Sequence, residues 1–263
     1  MVAGVSSATL YPQLTEEAVR TLGSLGIRNI EIFVNHMSEM EGGTLEKILS
    51  YIREYDMNVV SVHPFTSAME TLYLFSDYLR RVETMMQMYR KYFAFMQKTG
   101  AKLFVLHGAK KGVSWVNDEM YIDRFMRLCD TADEFGVTVV QENVHYCKSG
   151  DIEFLKLMKR ECGDRAKFVL DIKQAVRAGY DPLDIVNAVG ESVIHLHVSD
   201  NKPGADCIPV GMGTYDIAGL VKALRGKGFD GAMLVELYKN GFSDNSELTE
   251  SVKRLEKIIS EYQ

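Results

Sequence analysis

Three acids interrupt otherwise apolar runs: Glu142 in VVQEN, Asp171 in FVLDIK and Glu236 in MLVELY. An isolated ionised carboxylate in such a run is costly to bury unless it is paired, hydrogen-bonded or bound to metal. The six histidines, His36, His63, His107, His145, His195 and His197, also fall at or just beyond the ends of short apolar runs. Three carboxylates gathered in one place repel one another unless a cation joins them. A mostly oxygen ligand set with one histidine suits Mn²⁺, Mg²⁺ or Co²⁺ better than a structural zinc. His195 and His197 are two apart on one strand, so both point the same way. His197 is nearer the C-terminal end and is the expected ligand, with His195 one layer deeper as a satisfied core or supporting residue.

Other side chains are candidates for holding a substrate. His63 and His107 suit hydrogen bonds to substrate oxygens, or buried pairing with the backbone or Glu31. Glu31 itself reads as an acid that orients a histidine such as His63. Lys173, shortly after Asp171, is expected to face away from the ligand set. Trp115, among Gly112, Ser114 and Asn117, is expected to form an aromatic wall over a substrate, with packing against a neighbour as the alternative. Met85, Met86, Met88, Tyr89 and Tyr92 recur at helical spacing and read as core or dimer surface.

Eight short apolar runs carry these residues: 3–8, 29–34, 59–62, 103–106, 137–141, 167–170, 193–198 and 232–237. Segments of helix length lie between them, including 15–25, 44–55, 75–99, 116–135 and 215–226. Gly26, Gly100, Gly136 and Gly228 each fall between a helix and the next strand, where a C-capping glycine belongs. The runs are rich in Val, Ile and Leu, as strands covered on both faces are. The pattern predicts an α/β fold, a single (β/α)8 TIM barrel over residues 1–263, in which strand C-termini converge on one mouth. An open doubly wound sheet is the rival, but no GxGxxG follows the first strand. The nearest pattern, Gly211-Met212-Gly213, stands alone after the seventh.

The chain has 263 residues and a formal net charge of −6, which argues against a nucleic-acid partner. No apolar stretch reaches the roughly 18 residues of a membrane span. The N-terminal MVAGVSSATLYPQLTEE lacks the basic and apolar regions of a signal peptide. Cys129, Cys147, Cys162 and Cys207 are irregularly spaced and read as reduced thiols. A cytoplasmic location is expected.

The chain resembles the xylose isomerase-like barrels, among them sugar-phosphate isomerases/epimerases, ketose 3-epimerases, hydroxypyruvate isomerases and endonuclease IV. The likeness spans nearly the whole chain. It is carried by NIEIF (29–33), VHPF (62–65), VLHG (105–108), ENV (142–144), LDIKQA (170–175), HLHVSDN (195–201), PVGMG (209–213) and VEL (235–237). The resemblance implies that Glu142, Asp171, His197 and Glu236 ligate one divalent ion, Mn²⁺ first and Mg²⁺, Co²⁺ or Zn²⁺ as alternatives. It also implies that Glu142 and Glu236 are the acid/base pair, moving a proton through a metal-stabilised cis-enediolate. The chain departs from the family in two places. Gln174 stands where a substrate-holding His is common, and no Arg follows the HLHVSD segment, where Lys202 is the substitute on offer. Endonuclease IV needs a further His that the segment around Asp206–Pro209 lacks.

The expected function is therefore metal-dependent isomerisation or epimerisation of a ketose or related polyol. An inosose dehydratase-like lyase on the same site and a non-catalytic sugar- or cyclitol-binding barrel are the alternatives. The family's habit of pairing barrels leaves a homodimer open.

Overall fold

The structure is a computed structural model and describes residues 1–262. Seven parallel strands run in chain order around a ring: β1 (Val2–Ser6), β2 (Asn29–Val34), β3 (Asn58–Pro64), β4 (Leu103–Leu106), β5 (Thr138–Glu142), β6 (Lys167–Asp171) and β7 (Val193–Val198). Two short strands, β8 (Asp200–Lys202) and β9 (Ala205–Ile208), then form an antiparallel hairpin outside the ring. The last strand, β10 (Ala232–Val235), slots between β7 and β1 and closes the barrel. It pairs Ala232 with Val2 on one side and Leu234 with His197 on the other.

All eight expected barrel strands are present, with shifted ends. The first stops at Ser6, and Ser7–Leu10 winds into a 3-10 turn. The last stops at Val235, so Glu236 and Leu237 lie just beyond it. The hairpin β8–β9 was not expected.

The intervening helices are α1 (Thr15–Ser24), α2 (Gly42–Glu54), α3 (Leu79–Thr99), α4 (Asp118–Asp133), α5 (Ile152–Cys162), α6 (Ile172–Ala178), α7 (Pro182–Val189), α8 (Ile217–Gly226) and α9 (Ser246–Glu261). Local chemistry sets several of their starts. The Asn117 side chain accepts from Met120 N at the start of α4, with Asp118 and Glu119 in its first turn. α7 opens with a capping box between Asp181 and Asp184 and with Pro182 in its first turn. The glycines expected to end helices, Gly26, Gly100, Gly136 and Gly228, all have positive φ.

Helix α3 begins at Leu79, after the buried pair Leu74 and Phe75, and turns its Met/Tyr face inward. Met85, Met86, Tyr89 and Tyr92 are buried there and Met88 is partly buried, so that run is core. Tyr89 and Phe93 both pack on Phe104 of β4. Inside the barrel, Val105, Val140 and Val169 form an apolar plug. Two residues further along their strands come His107, Glu142 and Asp171. Strand alternation thus puts the polar layer directly above the plug.

Candidate metal centre and substrate cavity

Glu142 and Asp171 are the final residues of β5 and β6, His197 is the penultimate residue of β7, and Glu236 follows β10. One ligand atom from each lies within 4.8 Å of the others. His197 Nδ1 is 3.6 Å from Glu142 Oε1, 3.9 Å from Asp171 Oδ2 and 3.4 Å from Glu236 Oε2. The neighbouring backbone is pinned. Asn143 accepts from Asp171 N at 2.7 Å and donates to Asp171 O at 3.0 Å. Asp171 Oδ1 caps α6 by accepting from Gln174 N.

The donor set fits a divalent ion. His197 Nδ1 is buried and makes no hydrogen bond, and the buried Asp171 Oδ2 and Glu142 Oε2 meet only the Lys173 ammonium at 3.2 Å and the His107 imidazole at 2.9 Å. On the far side of the ring, His197 Nε2 faces Glu31 Oε2 at 3.2 Å. With its proton on Nε2, toward Glu31, the imidazole offers the Nδ1 lone pair to the cluster. Glu31 is itself fixed by Ser6 Oγ at 2.8 Å and Ser61 Oγ at 2.7 Å. The histidines Glu31 meets are thus His197 and, at 3.7 Å, His195, rather than His63. His195 is fully buried one layer deeper, as expected, with Nε2 3.3 Å from Ser61 Oγ.

Burial opposes charge throughout the cluster, yet most of these groups are held ionised by their neighbours. His107, His197 and His63 outweigh burial and hold the Glu142 carboxyl well below its ordinary value. Lys173 and then His197 do the same for Glu236. Glu236 and Glu31 push His197 well above the usual imidazole value. Asp171 goes the other way: burial, with Glu142 and Glu236 nearby, pushes it up to about 7 despite Lys173.

Lys173 is not turned away. It is buried, and its Nζ lies 3.0 Å from Glu236 Oε2 and 3.2 Å from Asp171 Oδ2. Lys173 is two residues from Asp171, a spacing that in a strand puts both side chains on one face, and from the first turn of α6 it reaches back to the cluster. Gln174, next on that turn, accepts from His145 N at 3.2 Å and pairs with His145 Nδ1 at 2.6 Å.

A cavity of about 860 Å³ opens above the cluster. His63, His107, Glu142, Lys173, Gln174 and Glu236 line it. His63 Nε2 and His107 Nε2 are 2.8 Å apart, one donating to the other, and His107 Nε2 is 2.9 Å from Glu142 Oε2. Trp115 and Lys202 do not line it. Trp115 is half-exposed in the loop before α4, and Lys202 sits on the outer hairpin, donating to Met212 O. Tyr11, Phe33, Phe65, Tyr146, Tyr238 and Lys239 line it instead and were not anticipated. Tyr238 had a legible signal, since it stands two residues after Glu236 at a strand end.

The model of the xylose isomerase-like TIM barrel family matches residues 19–258. The chain is a member of that family. A relative within reach of sequence comparison is an uncharacterized protein of Mycobacterium leprae (strain TN), 24% identical and covering 95% of both chains. Among solved structures, a D-tagatose 3-epimerase-like protein superposes with a TM-score of 0.81 at 17% identity, over 99% of this chain and 97% of that one. A 3-keto-D-glucoside 4-epimerase from E. coli superposes with a TM-score of 0.76 at 15% identity, over 98% and 99%. At such identities these structures speak for the shared fold.

Proposed function

We propose that this barrel is a divalent-metal-dependent isomerase or epimerase of a ketose or related polyol, with Glu142 and Glu236 as its proton-transfer pair. The observation that carries this reading is the ligand cluster itself. Four donors from four strand ends meet within 4.8 Å, and the buried His197 Nδ1 that faces the three carboxylates makes no hydrogen bond. A divalent ion held by Glu142, Asp171, His197 and Glu236, Mn²⁺ by the oxygen-rich donor set, supplies Lewis-acid stabilisation of negative charge beside a carbonyl.

The chain's own residues do the rest. Glu142 and Glu236 reach the cavity floor from strands separated by β6 and β7, so they face a bound sugar from two sides. One takes the proton next to the carbonyl and the other returns it. His63 and His107 hydrogen-bond sugar oxygens from the β3–β4 side. Lys173 keeps Glu236 ionised and fixed in place. The names of the structural neighbours, a D-tagatose 3-epimerase-like protein and a 3-keto-D-glucoside 4-epimerase, accord with this chemistry.

Metal content and proton exchange test the reading together. Purified wild type should carry about one divalent ion per chain and wash solvent deuterium into a ketose in D₂O, while Glu236→Gln should lose the exchange and bind metal more weakly. A wild-type protein that takes up no metal under any loading condition overturns it.

A further inference from the structure

The cavity above the ligand cluster exceeds the needs of one sugar. Its volume of about 860 Å³ lies high in the range of roughly 300–1,000 Å³ typical for drug-sized ligands. A ketohexose is smaller than such ligands. Seated on the buried floor of His63, Glu142, Lys173 and Gln174, it is too small to fill the volume out to the rim.

The mouth has a different chemistry from the floor. Tyr11, Tyr146 and Tyr238 line the same cavity yet are 58%, 44% and 45% exposed. They come from three separate loops, after β1, β5 and β10. Tyr238 is held rigidly, with its hydroxyl on Arg177 Nη1 at 3.1 Å and the Lys173 ammonium 4.8 Å from its ring centre. Tyr11 and Tyr146 offer large rings where the cavity meets solvent. Tyrosine packs an apolar ring on a ligand while keeping its hydroxyl wet, and apolar surface continuous with a site marks where a ligand extends.

We propose that the substrate carries a second ring: a keto sugar joined glycosidically to another sugar or to an aromatic alcohol. The reacting ring sits on the floor and the second lies against Tyr11 and Tyr146. The reacting half of this assignment rests on the isomerase/epimerase reading; the second ring rests on the mouth alone.

Binding and turnover are therefore read separately. Manganese-loaded protein is titrated calorimetrically with glucose and cellobiose as their methyl β-glycosides and with 4-nitrophenyl β-D-glucopyranoside, all full acetals without a free carbonyl and so unable to react. At least one two-ring probe should bind about tenfold or more tighter than glucose, and a Tyr11→Ala/Tyr146→Ala variant should erase that gain. Tyr11→Phe/Tyr146→Phe should retain most of it. A preference for cellobiose assigns the second ring to a sugar, and one for the nitrophenyl glycoside assigns it to an aromatic alcohol. Equal binding of all three probes, or a gain that survives in the folded alanine variant, overturns the proposal. In the turnover arm, deuterium exchange is followed with free ketoses and with their keto-glycosides. Exchange of both kinds at equal efficiency overturns the two-ring substrate and leaves the proton-transfer reading intact. No exchange with any, alongside selective two-ring binding, overturns proton transfer and leaves the mouth's assignment standing.

Discussion

The ammonium of Lys173 bridges Glu236 Oε2 at 3.0 Å and Asp171 Oδ2 at 3.2 Å, so one buried lysine serves two of the four expected metal ligands. Three carboxylates, one ammonium and a divalent ion sum to zero charge. The lysine thus offsets the carboxylate that a single ion leaves uncompensated. Removing one partner of a buried ion pair leaves a charge stranded, at a cost of about 3–5 kcal/mol. Lys173→Met should therefore melt well below wild type in chelator. Saturating Mn²⁺ should recover much of that loss, making the metal-induced rise in Tm larger in the variant than in wild type. Equal rises in the two proteins would show that Lys173 and the ion do not share their acids.

Glu31 acts on the cluster through His197. Its Oε2 faces Nε2 of that imidazole while two serines hold the carboxylate still. Glu31→Gln should weaken divalent-metal affinity by roughly 10–100-fold, with a smaller change in Tm. A metal titration of the variant reads this directly, and unchanged affinity would remove Glu31 from the site.

Gly108 follows His107 directly and has φ of +89°. An added Cβ would overlap the hydroxyl of Tyr121, which donates to Gln141 Oε1 at 2.6 Å. Gln141 in turn donates to Leu106 O and His107 O, both at 2.9 Å. Gly108→Ala combines unfavourable φ with a buried clash, so a loss of about 2 kcal/mol or more is expected. Thermal melting measures the loss. Weaker sugar binding should accompany it, because the chain that carries His107 moves. A neutral substitution would mean that Tyr121 repacks freely.

Glu70 is fully buried, accepts from Gly108 N and keeps Oε1 without a partner. Burial pushes its carboxyl up to about 7, with the charge of Glu142 adding and His107 opposing. The folded chain therefore holds this proton more tightly than the unfolded chain, whose value is near 4.5. The resulting stability is fully present below that lower value and is lost as pH rises through about 7. The shift corresponds to about 3 kcal/mol. Glu70→Gln, which stays neutral, should gain on wild type between pH 5 and 8 in paired melts. Parallel melting curves across that range would place Glu70 in a wetter setting.

Much of this site was legible because carboxylates inside apolar runs have few explanations. Glu142, Asp171 and Glu236 stood out for that reason, and strand periodicity put His197 above His195. Lys173 was legible too, since it stands two residues after Asp171 and a period of two puts both on one face, but it is easily counted as the residue next to the acid. The β8–β9 hairpin escaped because its strands are only three and four residues long and β8 is wholly polar. Trp115 has the residue type and loop setting of an aromatic wall, but nothing local shows whether a loop leans over the barrel or away. The rim tyrosines follow from how three loops converge, which no single stretch of sequence encodes.

The strand order has a temporal consequence. Glu142, Asp171 and His197 come from the consecutive strands β5, β6 and β7, but Glu236 arrives with β10, which also seals the ring by pairing with β1. That closure joins residues more than two hundred positions apart and is among the most non-local contacts in the chain. A chain still being synthesised, or one frayed at its last strand, holds only one of the two carboxylates proposed as the proton-transfer pair. On that proposal a half-built barrel has no working site, because the second carboxylate comes into place only when the circle is complete.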